Sequence, residues 1–362
     1  MGSLSIPDTR KLFTPLRIGT LTLSHRIIMS PLTRKRCPAG IPGPLVAEYY
    51  AQRATPGGLL ISEGMMVSVM AGNMHGIPGM YTPEHIRGWK VVTDTVHAKG
   101  AYMACQLWHC GRFAVSVQLG GRQPLSSSAT NIGVVNAFTV KGRVPTETAK
   151  EMSGDDIKVT IEDHVHAAKC AVEAGFDVVE ITAGNGYLCD QFLNSKVNLR
   201  TDDYGGSKEN RARFTLELLD AIIAAIGPSK VALRFSPWGT VLMPLDADPI
   251  STFTYVLSEV EKRGIAYVCL TQPRTDLFLS EDVKRENLRK AVQEGSGYDG
   301  TNCFEEVEKG ELDAITFGRW FISNPDLVEK IRLGMELTER TIETTYADGP
   351  EGYTDYPVGE AV

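Results

Sequence analysis

Thr182, Asn185 and Tyr187 gather a hydroxyl, a carboxamide and a phenol at i, i+3 and i+5 in the stretch DVVEITAGNGYLCDQFL. These are hydrogen-bonding and proton-bearing groups, and they follow directly on an apolar run. Other chemically capable residues recur at comparable places: Pro31-Leu32-Thr33, Gly64, Gln106 with His109, Arg234, Ser296-Gly297 and Gly318-Arg319. Taken singly, each has a plain reading. A threonine after a strand is usually a cap, a strand glutamine is usually a satisfied core polar group, and a tyrosine can pack with its hydroxyl in water. Their recurrence at successive strand ends points instead to one shared site, because parallel α/β folds place their chemistry at the carboxyl ends of strands. Ser296-Gly297 and Gly318-Arg319 suit a phosphate there. Small residues let backbone N–H groups approach, and an arginine adds a charge-assisted fork.

The elements that must position these groups follow from the pattern. Val178, Val179 and Ile181 form a β-branched run without amphipathic alternation, which predicts a strand over 177–182 with helices on both faces. Six further strands are expected near residues 26, 59, 101, 230, 266 and 313. Between them the pattern predicts helices over 44–54, 153–174, 207–226, 249–263, 302–309 and 323–334, with another in PEHIRGWKVVTDTVHAKG. This βα alternation implies parallel strands. The fold class expected is an α/β (β/α)8 TIM barrel in a single domain, 1–362. The hairpin FTPLRIGTLTL would serve as a lid closing its bottom, and a long loop excursion, 111–152, would follow strand 3 as a substrate cap. An eighth strand is required by topology between 273 and 313. Its candidate, AVQEGS at 291–296, sets Gln293 and Glu294 where branched apolar residues belong.

Composition narrows the function. With 362 residues, 43% of them hydrophobic, the chain can bury a large core, and its net charge of −7 gives no basic surface for nucleic acid or anionic membrane. Seven cysteines without a C-x-x-C pair suggest neither a disulfide framework nor a zinc site. No metal is expected, since His109, His164 and His166 do not converge with carboxylates in a ligand spacing. MGSLSIPDTRKLF lacks an apolar leader core, and Ile6 stands where a myristoylation signal needs Ser or Thr, so a cytoplasmic location is expected. There is no G-x-G-x-x-G after a strand, and no lysine at a strand end suits a Schiff base. These absences count against a Rossmann site and against an aldolase-type barrel for phosphorylated metabolites.

The segment Thr182-x-x-Asn185-x-Tyr187, the QFL that follows, the loop RTDDYGGS, and the collinear runs LFTPLRIG, FGRWFISNPDL and EGYTDYP resemble the Old Yellow Enzyme family. The likeness spans nearly the whole chain and suggests a fungal-type natural-product variant. It implies an FMN-dependent ene-reductase. NADPH would reduce the flavin, hydride would pass to the β-carbon of an α,β-unsaturated carbonyl compound, and Tyr187 would protonate the α-carbon. By the same likeness Gln106 and Arg234 contact the flavin edge and Thr33 lies near a flavin carbonyl, with Pro31, Leu32 and Gly64 also on the cofactor. Tyr346 lines the substrate cap. The partner implied is a small enone or enal, with a monomeric or homodimeric enzyme. One position departs: the family pairs Asn with a His where this chain has Thr182, and His109 is the nearest residue in sequence that could replace the lost donor for substrate. That departure motivates an alternative, an FMN enzyme whose net reaction is an isomerisation, cyclisation or oxidation.

Overall fold

The computed structural model describes residues 8–72, 74–133, 136–139, 142–271, 298 and 301–358. Seven strands form one sheet in the spatial order Tyr267–Leu270, Val231–Phe235, Val178–Ala183, Tyr102–Trp108, Leu59–Met66, Ile27–Met29, Ile315–Phe317. All pairings are parallel, and the last strand in sequence returns to pair with the first. That is the order of a barrel whose remaining position lies between Tyr267–Leu270 and Ile315–Phe317. The strand expected over 291–296 falls outside the described residues.

Helices begin where side chains satisfy their free N–H groups. Thr82 accepts from His85 N, Ser153 from Asp156 N, Ser207 from Asn210 N and Asp248 from Ser251 N, opening Pro83–His97, Gly154–Glu173, Lys208–Ile226 and Pro249–Glu261. One expectation needs correcting. The helix read across 323–334 is Leu327–Leu333, and the residues just before it form a separate short helix, Arg319–Ser323. Pro325 forces the residue before it out of helical geometry, and Asn324 takes φ −128° and ψ 87°. Its Nδ2 donates to the carbonyls of Trp320 and Thr338, replacing the lost helical bonds.

The barrel interior is stratified along its axis. At the amino ends of the strands, Ile28, Leu59, Ile61, Ala104, Val178 and Ala232 pack with Ile18 and Leu23 of the antiparallel hairpin Leu16–Ile18/Leu21–Leu23. The hairpin therefore does close the bottom. Side chains alternate across a strand, so two residues further on the same inward face carries Ser30, Gln106, Glu180 and Arg234. A register shift between Ile61 and Gly64 sets three residues opposite two, a bulge that lets Gly64 pair with Gln106. The cap, 111–152, contains the short turns Gly111–Phe113 and Ser116–Gln118, a parallel pair Leu125–Ser126/Lys150–Glu151 and a hairpin Asn136–Thr139/Gly142–Pro145. It is fastened by Gln191. This buried carboxamide accepts from Arg112 N and Ser126 Oγ and donates to the carbonyls of Cys110 and Gly186.

A second buried cluster ties the end of the chain to its beginning. Arg34, Arg36 and Arg53 are buried, and their guanidinium groups donate to carbonyls of Thr344, Thr345, Glu351, Gly352 and Tyr353. Tyr49 and Tyr353 stack beside them at 4.0 Å. Arg53 also holds the carbonyls of Phe321 and Ile322 at 2.7 Å each. Arg53→Met should therefore cost about 3 kcal/mol or more, because three buried carbonyls lose their donors. The check is a urea titration: the midpoint falls at unchanged slope, and a loss below about 1 kcal/mol would contradict this account.

Candidate active site

Inside the strand carboxyl ends lies a connected polar layer. Gln106 Nε2 donates to Glu180 Oε1 at 2.7 Å, and the Tyr267 hydroxyl donates to Glu180 Oε2 at 3.0 Å. Arg234 donates to the Cys269 sulfur at 2.9 Å and to Ser30 Oγ at 3.2 Å. Burial pushes the Glu180 carboxyl up, against the attraction of Arg234 and the bonds from Gln106 and Tyr267. Because Glu180 takes one amide hydrogen of Gln106, it fixes which way that carboxamide presents its oxygen.

Beside this layer the chain leaves strand Val178–Ala183. Thr182 pairs in register with Arg234, is 6% exposed, and its Oγ1 has no hydrogen-bond partner. The Trp108 Nε1 is likewise buried without a partner. Then the backbone turns sharply, Asn185 at φ 58° and Gly186 at φ 77°. Asparagine tolerates this left-handed geometry better than most residues, which accounts for its type here as well as its chemistry. Tyr187 ends the turn with its ring edge-on to Trp108 at 4.7 Å and to Phe113 at 6.4 Å. A Cβ on Gly64 would stand 2.9 Å from the Trp108 ring, so the bulge glycine makes room for the wall on which Tyr187 leans.

Thr182, Gln106 and Arg234, singled out from the sequence, thus share adjacent strand ends, with Asn185 and Tyr187 on the turn beyond. Pro31, Leu32 and Thr33 are half-buried and follow Ser30 directly. Gly318 approaches Leu32, where an added Cβ would stand 3.3 Å away, and Arg319 opens the following helix in an exposed position. Ser296 and Gly297 lie outside the described residues. Tyr346 is 54% exposed on a segment pinned by Arg34 and Arg36. His109 requires correction as a substitute donor. Strand alternation turns it away from the face shared by Gln106 and Trp108. Its ring lies nearly parallel to His164 at 6.2 Å, its Nδ1 accepts from Gly111 N, and burial lowers its pKa to about 3.

The sequence reading missed Glu180, Ser30, Tyr267, Cys269 and Trp108. A signal existed for the first: a carboxylate in the middle of an apolar strand cannot be buried without partners. Glu63 was missed too. It lies within strand Leu59–Met66, and its Oε2 accepts from Arg34 N at 3.1 Å and Lys35 N at 3.3 Å, bracing the loop that carries Thr33. Burial raises its pKa from 4.5 to about 7, opposed by those two N–H groups. A carboxyl raised on folding stabilises fully below its unfolded pKa, and that contribution is lost as pH rises through about 7. Glu63→Gln should therefore flatten the fall in unfolding free energy between pH 5 and 8 by about 2–3 kcal/mol. Denaturant titrations across that range check it, and an unchanged slope would exclude titration of Glu63.

The donor set fits a flat heterocycle with carbonyl and N–H groups along one edge. Gln106 offers a held carboxamide and Arg234 a fixed guanidinium, with apolar Leu32 nearby and unpartnered polar atoms on Thr182 and Trp108. Among the described residues no group of three or more His, Cys, Asp or Glu could hold a metal, and no helix is long and apolar enough to cross a membrane.

Comparison with known proteins agrees with this arrangement. Residues 11–338 match the NADH:flavin oxidoreductase / NADH oxidase family. The flavin oxidoreductase hxnT of Emericella nidulans is 40% identical, covering 99% of this chain and 100% of its own. The 12-oxophytodienoate reductase 7 of Oryza sativa subsp. japonica is 39% identical over 96% of this chain and 94% of its own. Among solved structures, the old yellow enzyme homologue from Zymomonas mobilis superposes with a TM-score of 0.88 at 34% identity, covering 96% of this chain and 99% of that one. On the strength of the strand order, the polar layer at the strand ends and these likenesses, the chain belongs to the NADH:flavin oxidoreductase / NADH oxidase family, as an FMN flavoprotein of the Old Yellow Enzyme type on an α/β TIM barrel.

Proposed function

We propose that this enzyme reduces the C=C bond of an α,β-unsaturated carbonyl compound with NADPH as electron donor. One observation carries the reading: Gln106 and Arg234, locked by Glu180, Ser30 and Cys269, stand beside the strand end bearing Thr182 and the turn that presents Asn185 and Tyr187. Bound FMN supplies the hydride chemistry, taking electrons from the nicotinamide and giving them to the substrate carbon. The protein's part is to bind, orient and protonate. Gln106, Arg234 and Thr33 would hold the ring edge, and Pro31, Leu32 and Gly64 would border it. Gly318-Arg319, with Ser296-Gly297, would take the phosphate. The Asn185 carboxamide and Thr182 hydroxyl would hold the carbonyl oxygen, drawing charge toward it and making the β-carbon electrophilic. Tyr187 would then deliver its phenolic proton to the α-carbon. The relative named for 12-oxophytodienoate reduction supports this substrate class.

A second reading, a net isomerisation, cyclisation or oxidation, is favoured by one specific feature. Thr182 offers a single buried hydroxyl, unpartnered in the structure, where the family's donor pair has a ring N–H. A missing donor of this kind is worth ~10²–10³ in rate, so simple enones should turn over weakly.

Two experiments decide between these readings. Tyr187→Phe should slow flavin reoxidation by an enone by about 10²-fold or more while leaving flavin reduction by NADPH within a few-fold, since only the former delivers a proton to carbon. Anaerobic stopped-flow absorbance follows each half separately; equal slowing of both removes Tyr187 from this role. NADH is run in parallel, and faster reduction by NADH overturns the donor assignment. Thr182→His should raise cyclohexenone turnover at least about tenfold if the donor pair is incomplete. No gain, with FMN bound stoichiometrically, means that the pocket orients the substrate oxygen by some other means.

A further inference from the structure

The turn that carries Asn185 is gripped from behind by two buried residues. Asn185 N donates to Ser236 Oγ at 2.6 Å, Ser236 Oγ donates to Asp190 Oδ2 at 3.3 Å, and Asp190 Oδ2 also accepts from Gly186 N at 2.9 Å. One carboxylate oxygen thus fixes both N–H groups of the turn, the second directly and the first through a hydroxyl. The grip is tight on each side. A Cβ on Gly184 would stand 2.7 Å from Ser236 N, and one on Gly186 2.4 Å from the Val241 carbonyl. Without such partners the left-handed Asn185 would relax, because that conformation is disfavoured for a residue with a side chain by about 1–2 kcal/mol.

We propose that Ser236 and Asp190 are positioning residues, which set the aim of the Asn185 carboxamide and with it the site's affinity for a carbonyl oxygen. The inference rests on the proposed function, in which Asn185 holds that oxygen. Ser236 follows strand Val231–Phe235 directly, so the same strand that supplies Arg234 also supplies the clamp. Both residues are buried, and the cavity beside them is about 10 Å3, lined by Asn194, Gly239, Met243 and Asp246 among others. That is room for no more than a water, so neither residue touches substrate and both act through the turn. With a threonine hydroxyl rather than a ring N–H at position 182, this clamp weighs more, since Asn185 then carries the larger share of oxygen binding.

The test uses the FMN-loaded enzyme reduced by dithionite and reoxidised in single turnovers by cyclohexenone or by dioxygen. Ser236→Ala should raise the half-saturating cyclohexenone concentration about tenfold, the weight of roughly one hydrogen bond, while dioxygen reoxidation stays within about twofold. Ser236→Thr, which keeps the hydroxyl, should recover most of the loss, and Asp190→Asn should behave like Ser236→Ala. Asn185→Ala is the reference. If it impairs enone binding and Ser236→Ala does not, the positioning role is wrong. If both reoxidations slow alike in Ser236→Ala and threonine restores neither, the clamp is merely structural and the proposal falls. If Asn185→Ala itself leaves enone binding unchanged, the oxygen-binding role of Asn185 fails first, and the clamp's role fails with it.

Discussion

Inside a barrel closed at one end by apolar side chains, the guanidinium of Arg234 and the carboxyl of Glu180 stand in a place where an isolated charge would be prohibitive. Everything around them is arranged to satisfy them. Tyr267 and Gln106 saturate the carboxyl oxygens, while Ser30 and Cys269 take guanidinium N–H groups. Tyr267 and Cys269 come from strand Tyr267–Leu270, Gln106 from Tyr102–Trp108 and Ser30 from the end of Ile27–Met29, so this network ties distant strands together at their carboxyl ends. A buried charged network of this kind is weak evidence for stability, because its desolvation consumes most of what it returns. Its value lies in orientation: Gln106 and Arg234 are each already held by a second group behind them.

The same device recurs one layer out. Glu63 grips two backbone N–H groups of the loop after the first strand, and Asp190 grips the turn after the fourth. Loops at strand ends carry the chemistry but lack ladder bonds of their own, and a buried carboxyl can satisfy two donors at once. Gln191, adjacent to Asp190, extends the anchoring to the cap through four bonds of its carboxamide. The short helix Leu188–Leu193 therefore joins the turn of Asn185 to the excursion 111–152.

The strands, the caps and the hairpin were legible because each is a local pattern: β-branched runs, Ser/Thr/Asp before a helix, a glycine turn between short alternating strands. Thr182, Asn185, Gln106 and Arg234 were legible as polar residues ending apolar runs. What escaped was the set of partners. Ser30, Tyr267 and Cys269 gain meaning only once strands distant in sequence become neighbours, and register is not a local property. His109 failed for the complementary reason. Nearness in sequence suggested it beside Thr182, yet a single step along a strand reverses the face, and its ring packs against His164. The break between Arg319–Ser323 and Leu327–Leu333 is readable from Asn324-Pro325, since a proline keeps the residue before it out of helical geometry.

Thr182 is where local and global constraints part company. A buried hydroxyl without a partner costs about 1–3 kcal/mol, and the chain could avoid that with valine, which is nearly the same size. Its polar neighbours Gln106, Glu180, Arg234, Ser236 and Asp190 all have partners. Thr182 Oγ1 is unpaired beside them, as is Trp108 Nε1. Unlike a ring N–H, a hydroxyl both donates and accepts, and its proton rotates to suit what it meets. A site with this group beside Asn185 can bind a carbonyl oxygen or a hydroxyl. It is correspondingly less committed than a pair of fixed N–H donors to stabilising the negative charge that develops on a carbonyl oxygen during enone reduction.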